Sequence, residues 1–474
     1  MNRILCVLVV LGACGDNLTE PITGEWVDYG AAASGPPHAQ DVTAVICDGT
    51  TDTRAAVQAA INAGGLVQLL PGGVCAIAAP SAGAVADLVL PLCPVGETCT
   101  LDCAGSTLLQ APGQPPSARL IDVSGAGWTI RNCVLDGNAA AQPLCALTKN
   151  GVTSQVPCEH RAGVFGRAPV TIEFVTSHNS SGDGFSLYTG TGYVLDHVTA
   201  IGNLRDGFSC VGNAGGIAIT NSTFTGNTAQ QVDLEPATCN DVTLRDSLLD
   251  GAGASSDYVL AIAHGDRFVA DHNVINGPID IVHSHGVVLE RNIGTNTTTS
   301  SNVLVYEDSD ARLTDNTFTA TVARSVVQVT GISVAGAQPS ATLIGNTLTS
   351  NGTAALVYAQ GAGTITLTGN TLNCTTAGLA VMARSSLPTF SFQRVEMRDN
   401  AIAGCARAIA VSGIGGTATV GQLIMSGNSA GTATSIADDG TGALQFALVD
   451  APILRWPVGA VLTATTAGTM MTRP

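Results

Sequence analysis

Asn179-Ser-Ser-Gly-Asp-Gly-Phe-Ser-Leu187, Gly202-Asn-Leu-Arg-Asp-Gly-Phe-Ser-Cys210 and Gly226-Asn-Thr-Ala-Gln-Gln-Val-Asp-Leu234 are three versions of one pattern. Asp183 falls on Asp206 and Phe185 on Phe208, 23 residues apart. A fixed period of about 20–30 residues is the mark of stacked coils, each burying its apolar side against its neighbours. Residues of one column then stand one strand spacing apart, about 4.8 Å. The third segment places Gln230 in the aspartate column and adds Asp233 and Glu235. Stacking therefore gathers Asp183, Asp206, Asp233 and Glu235 into one acidic patch. The expected fold is all-β, a solenoid of ten or more three-sided coils of parallel strands.

A second column runs through most of the chain: Cys133, Val175, Val198, Ser222, Ser247, Asn273, Asn292, Asn316, Asn346, Asn370, Asn400 and Asn428. The asparagine steps of 19 to 30 residues suit a coil with variable loops. An inward asparagine at each bend can bond the backbone and its neighbours above and below, so the column reads as a structural ladder. The step from Cys133 to Val175 is 42 residues. Either one coil carries a long excursion there, at 138–160, or a short extra coil is present.

Upstream lies Asp48-Gly-Thr-Thr-Asp-Thr-Arg-Ala-Ala-Val-Gln-Ala-Ala-Ile-Asn-Ala-Gly-Gly65, then Leu66-Val-Gln-Leu-Leu70 and Pro71-Gly72-Gly73. Thr51 or Asp52 can cap a helix over 52–63, with Ala56, Val57, Ala60 and Ile61 as its apolar face. This block resembles the N-terminal segment of the pectate lyase superfamily. In those pectin-lyase-like proteins a Gly-Asp-Gly turn, a short helix and a Pro-Gly turn open a right-handed parallel β-helix. The resemblance implies that the helix covers the open end of the first coil, whose unpaired strand edge would otherwise invite aggregation. It covers roughly residues 45–430 and implies action on, or binding of, a polysaccharide.

The flanks read as an export device. Arg3 and the apolar run Ile4–Leu11 form a signal segment too short to span a bilayer. Leu11-Gly-Ala-Cys14 resembles the bacterial lipobox, which makes Cys14 the lipidated residue. The expected organisation is a signal peptide over 1–13, a lipid-anchored tether over 14–41, the β-helix over 42–430 and a C-terminal β cover over 431–474. Apart from Cys6 and Cys14, twelve of the 14 cysteines remain, an even number that suits disulfides in the cell envelope or outside it. Cys47–Cys75, Cys145–Cys158, Cys210–Cys239 and Cys374–Cys405 are local pairs, and Cys93, Cys99, Cys103 and Cys133 are left to pair among themselves. The net charge of −17, from 36 acids against 19 bases, argues against a nucleic-acid partner. A polysaccharide is the expected partner. The membrane is reached only through the lipid anchor, and the chain is expected to be a monomer.

Chemistry is legible in one place. Asp183 and Asp206 precede Gly-Phe, so they read either as corner turns, where glycine tolerates φ > 0, or as acid/base carboxylates on a glycosidic bond. Polygalacturonase-type hydrolases also place aspartates on adjacent coils, but their Asn-Thr-Asp, Asp-Asp, Gly-His-Gly and Arg-Ile-Lys signatures are absent. Asp233 and Glu235 alternate along a strand and face one way, with Ser186 and Ser209 on the adjacent coils. Two acids on one face call for a cation, an arginine or a shared proton. The cluster therefore reads as catalytic, as a Ca2+ site or as a solvated acidic face, and no other cofactor is implied. Alignment of Arg161-Ala-Gly-Val164 with Gly182-Asp-Gly-Phe185 would bring His160 and Arg161 beside the acids. There Arg161 would hold a substrate carboxylate or neutralise Asp183, and Lys149 would join them from the excursion. His264, Asp266, His283 and His285 are a weaker metal-ligand set. A glycosidic-bond hydrolase, a uronate lyase or epimerase, and a non-catalytic surface protein all fit this fold class. A lyase wants a basic proton acceptor, and bases are scarce.

Overall fold

The computed structural model describes residues 40–41, 46–81, 84–149, 152–158, 161–235, 239–251, 258–331, 338–361, 363–376, 378–385, 392–413, 419–429, 436–438 and 445–448. The lipobox, nearly all of the tether and most of the C-terminal cover lie outside these residues. The chain divides into two compact units between Val259 and Leu260. Each is a right-handed parallel β-helix built from three ladders of short strands, as the period implied.

In the first unit, one ladder runs Ala86–Leu90, Arg119–Val123, Val164–Gly166, the near ends of Phe185–Asp196 and Phe208–Thr220, and Val232–Leu234. A second runs through Cys99–Asp102, Trp128–Arg131, Val170–Glu173, the far ends of the same two long strands, and Asn240–Arg245. The third passes through Val134–Asp136, Thr176–His178, Thr199–Ile201 and Thr223–Thr225. The register is the one the repeat implied: Phe185 pairs with Phe208 and Phe208 with Val232, while Leu187 pairs with Cys210 and Cys210 with Leu234. All six are fully buried, so both columns are core.

The helix is Arg54–Ala63, with Val57, Ala60 and Ile61 buried. Ala56 is exposed, and Gln58 takes the buried place instead. The Gln58 amide accepts from the Val89 N–H and donates to the Val89 carbonyl, both at 2.8 Å. It thereby satisfies the edge of the first strand in its ladder, which is how the helix closes the coil end. Thr53 is the N-cap residue and makes no side-chain cap bond; Asp52 accepts from the Arg54 N–H at 3.0 Å.

Leu135 pairs with Ser177 on consecutive coils, so the 42-residue step is one coil with an excursion and contains no extra coil. The excursion holds an antiparallel hairpin, Cys145–Lys149 against Val152–Val156, closed by the Cys145–Cys158 disulfide. The four local cysteine pairs all form, and the remaining four pair as Cys93–Cys99 and Cys103–Cys133.

In the second unit the asparagine ladder is continuous. Each side-chain Nδ2 of Asn273, Asn292, Asn316, Asn346, Asn370 and Asn400 donates to the Oδ1 of the next asparagine at 2.8–3.0 Å, ending at Asn428. The same oxygens accept the preceding asparagine's backbone N–H. In the first unit hydroxyls serve the same column: the Val198 N–H donates to Ser222 Oγ and the Ser222 N–H to Ser247 Oγ.

Candidate functional site

The acidic patch is assembled by a short ladder just upstream of each aspartate. The Ser180 N–H donates to Asn203 Oδ1, Asn203 donates to Asn227 Oδ1, and Asn227 donates to Gln231 Oε1. These inward amides pin the turns that precede Asp183, Asp206 and Gln230. Gly184 and Gly207 then follow the aspartates, but not for a left-handed backbone, since neither has positive φ. A Cβ on Gly184 would stand 2.6 Å from the Gly207 carbonyl, and one on Gly207 would stand 2.6 Å from the Gln231 carbonyl. Close approach of consecutive coils therefore selects Asp-Gly here, and the φ > 0 corner turn is corrected.

Around this turn the carboxylates converge on Arg205. Its Nη1 donates to Asp183 Oδ1 and Oδ2 at 3.3 and 3.0 Å, its Nε lies 3.4 Å from Asp206 Oδ2, and its Nη2 pairs with Glu235 Oε1. Asp183 also accepts from the Asp206 N–H at 3.1 Å and from Ser209 Oγ at 2.6 Å. Asp206 in turn accepts from the Gln230 N–H at 2.8 Å. Both aspartates thus bond the next coil as well as the arginine. Ser186, Ser209 and Asp233 pair in register, on the strand face opposite Phe185, Phe208 and Val232. Oxygens of Asp206, Asp233 and Glu235 lie within 4.8 Å of one another, and Glu235 Oε2 is buried with no hydrogen-bond partner. Carboxylates bound to one Ca2+ at about 2.3–2.6 Å can stand about 5 Å apart across it, so these three suit that ion.

Electrostatics sharpen the picture. Asp183 is fully buried, and loss of solvation pushes its carboxyl up to about 7, with Asp206 adding to the rise and Arg205 opposing it. Burial raises Asp87 and Asp280 to about 7 as well. Between pH 4 and 7 the folded chain therefore holds protons that the unfolded chain has released, so stability falls as pH rises through that window. His264, lowered chiefly by desolvation and then by His283, acts in the opposite sense below about pH 6.5. It is one exposed imidazole against three buried carboxyls. The melting temperature is expected to be higher at pH 5 than at pH 8, with the difference reduced in Asp183→Asn. Calorimetry at both pH values checks this, and a higher value at pH 8 would contradict it.

The four acids expected from the sequence are thus brought together. Val164 does pair with Phe185, which is the alignment expected of Arg161. The Arg161 side chain, only 1% exposed, turns elsewhere: it donates to the Pro143 and Gln114 carbonyls and to Ser181 Oγ, clasping the excursion. Lys149 ends the first strand of the hairpin, and His160 lies outside the described residues. The residue that sequence reasoning missed is Arg205. Its signal was its place beside Asp206 inside the repeat, the only cation in the three aligned segments. Further along the same outward column, Asp122 pairs with Arg119 at 3.2 Å and Arg167 at 2.8 Å. The Arg119 guanidinium lies 3.7 Å from the centroid of the Phe165 ring, and Phe165 stacks on Tyr188.

Among solved structures, the chain is similar to the A-module of mannuronan C-5 epimerase AlgE6 from Azotobacter vinelandii, at 20% identity over 82% of this chain and 99% of that one, with a TM-score of 0.52. The AlgE4 A-module of the same organism is similar at 17% identity over 78% and 97%, with a TM-score of 0.50. The surface adhesin PfbA of Streptococcus pneumoniae matches at 13% identity over 80% and 93%, with a TM-score of 0.49. At such identities the likeness to the two epimerase modules establishes the fold alone, a right-handed parallel β-helix, and leaves the chemistry to the chain's own residues. No family model matches the sequence, and no curated protein matches it.

Proposed function

We propose that this chain is an exported protein that acts on a polysaccharide and cleaves a glycosidic bond with the carboxylates around Arg205. The observation that carries this reading is the convergence of Asp183, Asp206 and Glu235 on one guanidinium, with Asp233 alongside. Buried like charges cost stability, and neutral amides tie coils without that cost, as the asparagine row of the second unit does. Asp183, with its carboxyl at about 7, keeps a proton near neutrality, as a general acid must. Asp206, Asp233 and Glu235 remain as the base or nucleophile. Asp206 stands in the Asp183 column one coil away, about 4.8 Å by strand spacing, which is nearer the roughly 5–5.5 Å of retaining enzymes than the roughly 6.5–9.5 Å of inverting ones and favours it as the nucleophile. Arg205 orients the acids and is the cation a substrate carboxylate would meet. Screening the purified chain against a polysaccharide panel for released products tests the proposal. The first product should keep the anomeric configuration of the substrate, and no release from any glycan would count against catalysis.

One observation favours a second, non-catalytic reading. Asp183 and Asp206 are fully buried, and Glu235 Oε2 has no hydrogen-bond partner. Held by Ca2+ through Asp206, Asp233 and Glu235, the patch would brace the coils of a carbohydrate-binding or structural surface protein.

The six disulfides suit an oxidising compartment and hence export. We further propose that Cys14 carries a lipid. Cys14→Ser is expected to release the protein from the membrane fraction or to block its processing, and unchanged membrane association in that variant would remove the anchor.

A further inference from the structure

The outward face of the first unit carries one aromatic side chain that neither the core nor the Arg205 patch accounts for. Tyr188 follows Ser186 by two residues on the long strand Phe185–Asp196, so both leave the sheet on its outer side, about 7 Å apart along the strand. Ser186 Oγ lies 3.0 Å from Ser209 Oγ, which donates to Asp183. Tyr188 therefore stands at the rim of the acidic patch.

The backbone is shaped to present it. Leu187 pairs with Cys210 but Thr189 pairs with Asn213, so Val211 and Gly212 together oppose Tyr188. Bulges of this kind recur beside active sites, where they re-aim a side chain. Gly212 leaves the room: a Cβ there would meet the Tyr188 carbonyl and stand 2.9 Å from Cδ2 of its ring. The phenol ring stacks on Phe165 with centroids 5.9 Å apart, and the Arg119 guanidinium lies against the same Phe165 ring. Asp122 holds that arginine in turn. Phe165 is 1% exposed and Arg119 4%, whereas Tyr188 is half-buried. Of the three, Tyr188 is the one open to solvent.

We propose that Tyr188 is a stacking platform for one pyranose ring of the polysaccharide, the sugar beside the bond held at the Arg205 patch. This rests on the reading of that patch as a carbohydrate site. A pyranose can turn a face of C–H bonds to an aromatic ring, whose own faces carry negative charge. Tyrosine suits a wet rim, since its ring is apolar and its hydroxyl is polar. Phe165 and Gly212 fix the ring before a sugar arrives, so little rotamer freedom is left to lose on binding.

Affinity electrophoresis of the full chain through native gels cast with polygalacturonate or laminarin tests this without reading catalysis. The wild type is expected to be retarded in at least one gel. Tyr188→Leu keeps apolar volume over Phe165 but loses the ring, so its apparent dissociation constant should rise by about tenfold, the weight of one well-stacked ring. Tyr188→Ala should show the same loss, and Tyr188→Phe, which keeps the ring, should bind as the wild type does. Circular dichroism and melting will verify that each variant is folded. Phe174→Asn removes a 56% exposed ring at the corner between the second and third ladders, suits the left-handed backbone there and should change nothing. Unchanged retardation in the folded Tyr188 variants that lack the ring overturns the proposal. So does an equal loss in Phe174→Asn, or a wild type retarded in neither gel. Retardation that depends on Tyr188, with no product released from any glycan, upholds the platform and counts against cleavage alone.

Discussion

Arg205→Ala is expected to destabilise the protein by about 3–5 kcal/mol, the cost of removing one partner from a buried ion pair. Arg205 is the cation among Asp183, Asp206 and Glu235, whose side chains are 0%, 0% and 4% exposed. Without it those carboxyls stay buried, and water reaches them poorly. They can lower the cost only by taking up protons, so the deficit should shrink as pH falls from 7 towards 4. Arg205→Lys should recover part of the loss, because an ammonium restores the charge without the fork that reaches three carboxylates. Denaturant unfolding at pH 5 and pH 8 measures both effects. A variant within about 0.5 kcal/mol of wild type, the range of ordinary surface substitutions, would mean that the arginine does not hold the patch together.

Asp206→Asn and Asp233→Asn are expected to lower activity by about 10²–10⁴-fold, the usual contribution of one general acid/base group. Stability should hold or rise in both, since each change relieves repulsion among buried acids. In Asp206→Asn the amide oxygen can still accept the Gln230 N–H that Asp206 accepts now. The catalytic and calcium readings separate in the same two variants. If the patch braces the fold through Ca2+, the wild-type melting temperature rises with added calcium and both variants lose that response. If the aspartates only tie one coil to the next, both variants melt lower and any activity is untouched. Full activity with both residues neutralised ends the claim that this patch is the active site.

The coil period was readable because the core columns repeat in type. Phe185 on Phe208, and asparagine on asparagine, can be matched by eye, and the structure keeps those registers. The acidic column was legible for the same reason. What escaped was set by direction rather than by register. Arg161 occupies its expected rung, yet its long side chain leaves the column to bind the carbonyls of Pro143 and Gln114. Arg205 was given no role from its place before Asp206, and only the third dimension shows its guanidinium spanning Asp183, Asp206 and Glu235. The helix face was misjudged by one polar residue: Gln58 is buried because Val89 presents a free strand edge to it, which periodicity cannot see. The Asp-Gly pairs were recognised, but their cause was steric contact between coils, a distance that a single coil's sequence does not contain.

The asparagine ladder makes copy number cheap to change. Every amide from Asn292 to Asn400 receives two bonds on its oxygen from the preceding coil and passes its nitrogen to the next. The side-chain dipoles consequently align head to tail, and each polarises its neighbours in the same sense. A duplicated coil would enter this row with its donors and acceptors already matched at both faces, whatever the length of its outer loop. Steps of 19, 24 and 30 residues already coexist in the one row. Length can therefore grow or shrink by whole coils while every buried amide stays satisfied, leaving the loops free to diverge.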